Sequence, residues 1–210
     1  GVSAVFIIPM IPKEIYGMVS VIIAIASLLL PLTLIGLNST VVRFSETINP
    51  DFKELFFDKL YLIHTLCSIA ISSTFFALSP WFFQSFYPNA ELNWGAGLTI
   101  SLLIFLMGQF TMLSAYATTK YRLNVTRIAE LIFQKAGIPL LLLALDFKVI
   151  PFALLLPFII LLYLFRAFSL WAFRYKTRSA NHFTKPSKII SFWSYSIFAF
   201  FAVLMHQAII

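Results

Sequence analysis

Apolar side chains dominate six long stretches, at residues 15–42, 60–83, 95–117, 128–147, 150–173 and 189–210, with short polar segments between them. A helix crosses the hydrocarbon core of a bilayer in about 20 residues, so each stretch is long enough to span. Lipid offers no partner for backbone N–H and C=O groups, which restricts spanning segments to helices and closed barrels. Unbroken runs such as IIAIASLLLPLTLIG lack the alternation of a barrel strand. The pattern predicts an all-α fold, a polytopic bundle of transmembrane helices. Pro31, Pro139 and Pro157 fall inside spans and predict kinks. Residues 1–12 are apolar but too short to cross, and read as the end of a preceding helix. The last stretch stops within hydrophobic sequence, so the chain is expected to be a piece of a longer protein. No basic n-region or small-residue cleavage site marks a secretory signal.

Composition strengthens this picture. Of 210 residues 60% are hydrophobic and 11% charged, and the mean hydropathy is +0.93. That leaves too little polar surface to clothe a soluble domain, which argues against soluble enzymes, nucleic-acid modules and disordered tails. In a membrane protein the net charge of +7 reports loop topology instead of a nucleic-acid partner. Segments 43–59, 118–127 and 174–188 together carry eleven Lys and Arg, whereas the opposite loops carry only Lys13 and Lys148. These three basic loops are therefore expected in the cytoplasm of a multi-pass inner-membrane protein. The segment INPDFKELFFDK reads as a short amphipathic helix lying on the membrane surface, with Asn49 or Asp51 at its start. Trp81, Trp94, Trp171 and Trp193 fall near span ends, as interfacial anchors do. The single cysteine, Cys67, excludes an intramolecular disulfide and a Cys-rich metal site. Nucleotide-binding, nucleophile-elbow and zinc-protease motifs are missing, so no enzymatic activity, catalytic residue, metal or cofactor is expected.

The order of residues from Ile11 to Glu46, IPKEIYGMVSVIIAIASLLLPLTLIGLNSTVVRFSE, carries more. It resembles the oligosaccharide flippases of the polysaccharide transport family, O-antigen flippases among them. These carry a Pro-x-Glu-Tyr-Gly-like turn after the first helix and a Gly-Leu-x-x-x-x-x-Arg-Phe-like end to the second. Pro12, Glu14, Tyr16 and Gly17 match the turn, with Ile15 where an acidic or polar residue is usual. Gly36, Leu37, Arg43 and Phe44 match the second segment. The basic loop TTKYRLNVTRIAE and the one before SFWSYSIFAFFAVL are similar to the family's layout. The resemblance implies helices two to seven of a two-lobed transporter of 12 to 14 helices. Residues 1–188 would belong to the N-terminal lobe, and 189–210 would open the second. It also implies the cargo, a polyprenyl-pyrophosphate-linked oligosaccharide, and other polysaccharide assembly proteins as partners beside the lipid bilayer.

An anionic, sugar-bearing head group crosses hydrocarbon only through a wet, cationic path, because unpaired charge and unsatisfied hydroxyls carry large desolvation penalties. Lys135 and Arg166 are the cations inside the spans, where each costs about 2.5–3.5 kcal/mol to insert and usually faces protein or water. Each either binds the cargo, or snorkels toward the head groups or simply packs within the bundle. Glu130 precedes Lys135 by five residues, a poor α-helical spacing for a pair, whereas Arg127 and Glu130 suit one. Lys135 is thus expected to lack a local partner. Arg43, beside Phe44, either meets incoming pyrophosphate or anchors the cytoplasmic end. Asn38, His64, Gln109 and His206 are further polar candidates for a cavity lining. His64, Ser68, Ser72 and Ser79 share one helix face, which either lines water or packs closely on a neighbour. Gly17, Ser20, Ala24, Ser27, Pro31 and Asn38 form a small-residue stripe that is expected to be a packing seam.

Two other function classes compete. A multidrug or other small-molecule antiporter of the same superfamily would want an acidic cavity, whereas these spans carry cations and few carboxylates, with Asp146 at an outer edge. A membrane enzyme, such as an O-antigen polymerase or an acyltransferase, would need a large outer loop or a catalytic histidine motif, and the sequence has neither.

Overall fold

The computed structural model of the chain describes residues 13–45, 48, 50–87, 94–120, 123–147, 154–177, 196–197 and 199–201. Among these residues every regular element is helical: α1 (Lys13–Leu34), α2 (Leu37–Phe44), α3 (Pro50–Phe86), α4 (Trp94–Thr119), α5 (Leu123–Ala129), a π-helical turn (Glu130–Ala136), α6 (Gly137–Asp146) and α7 (Leu155–Thr177). Four helices are long and apolar enough to cross a membrane, over Ile15–Leu34, Lys53–Phe86, Trp94–Thr119 and Leu155–Lys176. The stretch expected to span at 128–147 is helical in three consecutive pieces, α5, the π turn and α6. Most of 189–210, with His206 and Trp193, lies outside the described residues, as do Pro12, Asn49 and Lys148.

The bundle is built around α4. Its most apolar window is 78% buried, against 22–28% for the other three spanning helices. The sequence of α4 explains this, since it contains no charged residue and is studded with Gly, Ala, Ser and Thr. A helix that is apolar all round can be buried on every side. Small side chains let neighbouring backbones approach where lipid provides no hydrophobic drive. Gly108 is the clearest case: a Cβ there would sit 3.0 Å from Thr33 Oγ1, 3.1 Å from His64 Cε1 and 3.2 Å from Ser68 Oγ. Here α1 and α3 both press on α4. Ile100, Leu103, Ile104, Leu155, Ile159, Tyr163 and Ile22 fill the main core between α4, α7 and α1.

Three local expectations are corrected. The segment Pro50–Lys59 does not form a separate surface helix but is the first part of the continuous 37-residue α3. Glu54, Phe57 and Asp58 find partners on neighbouring helices: the Phe57 ring lies tilted against Tyr116 with centroids 4.5 Å apart, and both carboxylates form ion pairs. The small-residue stripe of α1 packs at Pro31 but not in its N-terminal part. Val19, Ile22, Ile25, Ala26 and Thr33 are buried, whereas Ala24 is exposed and Gly17 has open space beside it. Residues two apart on a helix point nearly opposite ways, so the stripe at 17, 20, 24 and 27 faces away from the described bundle. Third, the stretch 15–42 is not one bent helix but two, separated by Ile35 (φ 46°) and Gly36 (φ 70°).

Pro157 lies in the first turn of α7 and leaves the helix intact, since no intrahelical N–H is needed there. Pro139 acts differently. It has no N–H to give to Lys135 C=O, and the turn before it relaxes to wider spacing, with Gly137 N–H reaching back five residues to Ile132 C=O.

Candidate functional site

Arg166 lies at the midpoint of α7 (Leu155–Thr177), about 16 Å from either helix end at 1.5 Å per residue. It does not snorkel. The residue is 7% exposed, its guanidinium carbon stands 3.6 Å from the centroid of Phe110 on α4, and Tyr163 one turn earlier lies 5.7 Å away. Planar stacking on an aromatic face suits a guanidinium better than an ammonium. Among the described residues no carboxylate lies within ion-pair distance of Arg166, and its Nε has no hydrogen-bond partner. The hydroxyl of the buried Tyr163 also lacks a partner among them. Residue spacing finds Arg166 in the sequence; Phe110 and Tyr163 become visible only once α4 and α7 are packed.

Lys135 departs from expectation. Its Nζ is 3.2 Å from Glu130 Oε1, and its side chain is 66% exposed. The five-residue spacing that separates two residues on an α-helix brings them together on a π turn, whose hydrogen bonds run from i to i+5. Glu130 therefore pairs with Lys135. The π turn packs on α7, with Phe133 stacked against Phe165 at 6.3 Å.

The other polar candidates gather on the opposite flank, where the helix break decides their roles. Ending α1 at Leu34 frees the C=O of Thr33, and His64 Nδ1 supplies its donor at 3.0 Å. A carbonyl only accepts, so Nδ1 carries a hydrogen, and Nε2 shares a second hydrogen bond with Ser68 Oγ at 3.3 Å. Fully buried and bonded at both nitrogens, His64 caps a broken helix. Gln109 is buried beside it with its amide nitrogen 3.5 Å from Thr65 Oγ1, while Oε1 has no partner among the described residues. The face of His64, Ser68, Ser72 and Ser79 is buried throughout. Asn38 is half-buried in the first turn of α2, and Arg43 is exposed in its last. The fold thus pairs Lys135 with Glu130 and forms two buried groups, Arg166 on Phe110 and His64 beside Gln109. It does not join the two groups, since Gln109 and Phe110 present neighbouring faces of α4 to α3 and α7.

At one end of the bundle a charged network ties three helices. Glu54 accepts from Tyr116 Oη at 2.9 and 3.1 Å and pairs with Lys120 at 2.7 Å. Arg174 pairs with Asp58 and stands 4.8 Å from the Phe57 ring centroid and 4.9 Å from that of Tyr61. Sequence reasoning missed this network, because its bonded partners are 62 to 116 residues apart.

No metal-holding group of His, Cys, Asp and Glu occurs among the described residues. An all-helical bundle with four membrane-length apolar helices and a buried mid-helix cation that has no carboxylate partner among the described residues has the character of a membrane protein. Compared with protein-family models, with curated proteins and with solved structures, the chain matches none.

Proposed function

We propose that the chain is part of a multi-pass transporter of a bacterial cytoplasmic membrane. It flips polyprenyl-pyrophosphate-linked oligosaccharide repeat units to the outer leaflet for O-antigen, capsule or exopolysaccharide synthesis. The observation that carries this reading is Arg166, a guanidinium at mid-helix with no carboxylate at ion-pair distance among the described residues. Holding such a charge in a membrane is costly unless an anion arrives to meet it. A pyrophosphate supplies several oxygens in the geometry a guanidinium binds. The resemblance of residues 11–46 to the polysaccharide transport family points the same way. On this reading residues 1–188 belong to one lobe and 189–210 begin the other. Segments 43–59, 118–127 and 174–188 face the cytoplasm. The pairing of Glu54 with Lys120 and of Asp58 with Arg174 at one end of the bundle supports their common side.

Deletion of the gene from its host tests the reading. Lipid-linked repeat units should accumulate on the cytoplasmic leaflet, and the intact gene should clear them. Normal surface polysaccharide with altered sensitivity to cationic drugs would overturn it in favour of a multidrug antiporter. Sugar or acyl transfer by the purified protein would overturn it in favour of an enzyme.

A further inference from the structure

The bundle carries one arrangement twice, an arginine of α7 set between a phenylalanine ring and a buried tyrosine. At one end Arg174 Cζ stands 4.8 Å from the Phe57 ring centroid and 5.9 Å from that of Tyr116. Midway along α7, Arg166 Cζ stands 3.6 Å from the Phe110 ring centroid and 5.7 Å from that of Tyr163. Both tyrosines are 2% exposed. At the bundle end two carboxylates complete the arrangement: Asp58 pairs with Arg174, and Glu54 accepts from Tyr116 Oη at 2.9 Å. The second copy differs in this respect, since Arg166 Nε and Tyr163 Oη have no hydrogen-bond partner among the described residues.

The Tyr163 hydroxyl cannot be met within its own helix. Short hydroxyl side chains of the bundle turn back onto a carbonyl three or four residues earlier, as Ser169 does to Arg166 C=O and Ser101 to Gly97 C=O. A phenol carries its oxygen at the far edge of a rigid ring, away from that carbonyl, and must find its partner elsewhere. Arg166 and Tyr163 are three residues apart and so share one face of α7. A buried donor left unsatisfied is costly and a charge-assisted bond is strong, so the two together fit a ligand that brings anionic oxygens to both.

We propose that Tyr163 is a second donor of the anion site centred on Arg166, and that one diphosphate meets both, a phosphoryl group for each as the bundle end has a carboxylate for each. The inference rests on the transport reading above for the origin of the ligand; the chemistry required, a diphosphate, is shared by a lipid head group and by free pyrophosphate. Tyr163 is then a specificity residue. Orthophosphate has one phosphoryl group and meets the guanidinium alone, so it is the phenol that favours a diphosphate.

Calorimetric titration of the intact protein in lipid nanodiscs, with inorganic pyrophosphate and with orthophosphate, tests this. The unaltered protein should prefer pyrophosphate by ~10-fold. Tyr163→Phe should bind pyrophosphate ~10-fold more weakly and orthophosphate within ~2-fold, so the preference collapses. Tyr116→Phe, which removes the hydroxyl that meets Glu54, should keep it. A preference that survives Tyr163→Phe overturns the proposal, and so does a loss shared equally by both anions, which marks a packing role. A measurement on the unaltered protein covers the case in which the variant misfolds: solid-state NMR with isotope-labelled tyrosine Cζ, in which the phosphorus nuclei of the bound diphosphate should dephase the Tyr163 signal. Inorganic pyrophosphate and nanodiscs carrying polyprenyl pyrophosphate form separate arms. Dephasing in both supports a site that recognises the diphosphate alone, dephasing only with the lipid supports a head-group site, and dephasing in neither overturns the proposal. Dephasing without lipid-linked intermediates in the deletion strain would sink the transport reading and leave the site standing. Accumulation without dephasing would do the reverse.

Discussion

Arg166 and Lys135 show how differently two cations within apolar stretches can be used. Arg166 is held flat on Phe110 inside the bundle, and Lys135 reaches outward to Glu130. The stacked contact depends on a planar guanidinium, so Arg166→Lys should behave like Arg166→Ala despite keeping the charge. In a complemented deletion strain both variants should lower surface polysaccharide by about tenfold or more, as the loss of ~1.4 kcal/mol or more of anion binding requires. Membrane insertion, read by fractionation, should stay normal, and full export by Arg166→Lys would show that stacking does not matter. Both cations were legible in the sequence as charges within apolar runs. The Glu130–Lys135 pair was not, because α-helical spacing excludes it and only the π turn ahead of Pro139 restores it.

Among the elements, the interrupted first span is the least ordinary. Ile35 holds a left-handed conformation, a costly place for a β-branched residue. Gly36 is left-handed too, and a Cβ there would strike Ser196 C=O and stand 2.9 Å from Phe200 N. Thr40 fastens the same contact, its Oγ1 lying 2.8 Å from Ser196 Oγ. Gly36→Ala should therefore lower the unfolding free energy by about 2–4 kcal/mol, from the left-handed backbone and the overpacking together. Unfolding in mixed micelles followed by tryptophan fluorescence checks this, and an unchanged midpoint would mean that the 196–201 segment yields easily. Hydropathy marked where this span lies but not its division, since Leu-Ile-Gly-Leu is apolar on both sides of the break. Hydropathy also could not show that Pro50–Lys59 continues into α3, because the carboxylates on it pair with residues far away in the chain.

At the scale of the molecule, the all-helical class and four of the spans follow from run length alone, an inference that needs no contact. What run length cannot rank is which helix sits at the centre. The signal for α4 was present in its freedom from charge and its small residues on all sides, yet centrality is a relation between helices and requires the partners to be placed. The same holds for the network of Glu54, Tyr116, Lys120, Asp58 and Arg174, whose members share a bundle end and no local motif.

The enclosure of α4 bears on how the protein is made. Chains emerge from the N-terminus, so α4 enters the membrane with α1 to α3 in place and α7, which covers another flank, not yet synthesised. Until α7 arrives, Tyr116 and Phe110 have no Arg174 or Arg166 against them, and that side of α4 meets lipid. Nascent chains stopped before residue 155 should thus insert but remain open, and protease should nick them at the 118–127 loop far faster than chains extended through Thr177. Equal protection of both would mean that the early helices close around α4 unaided. The helix most hidden in the finished bundle keeps one flank open to lipid for a time during synthesis.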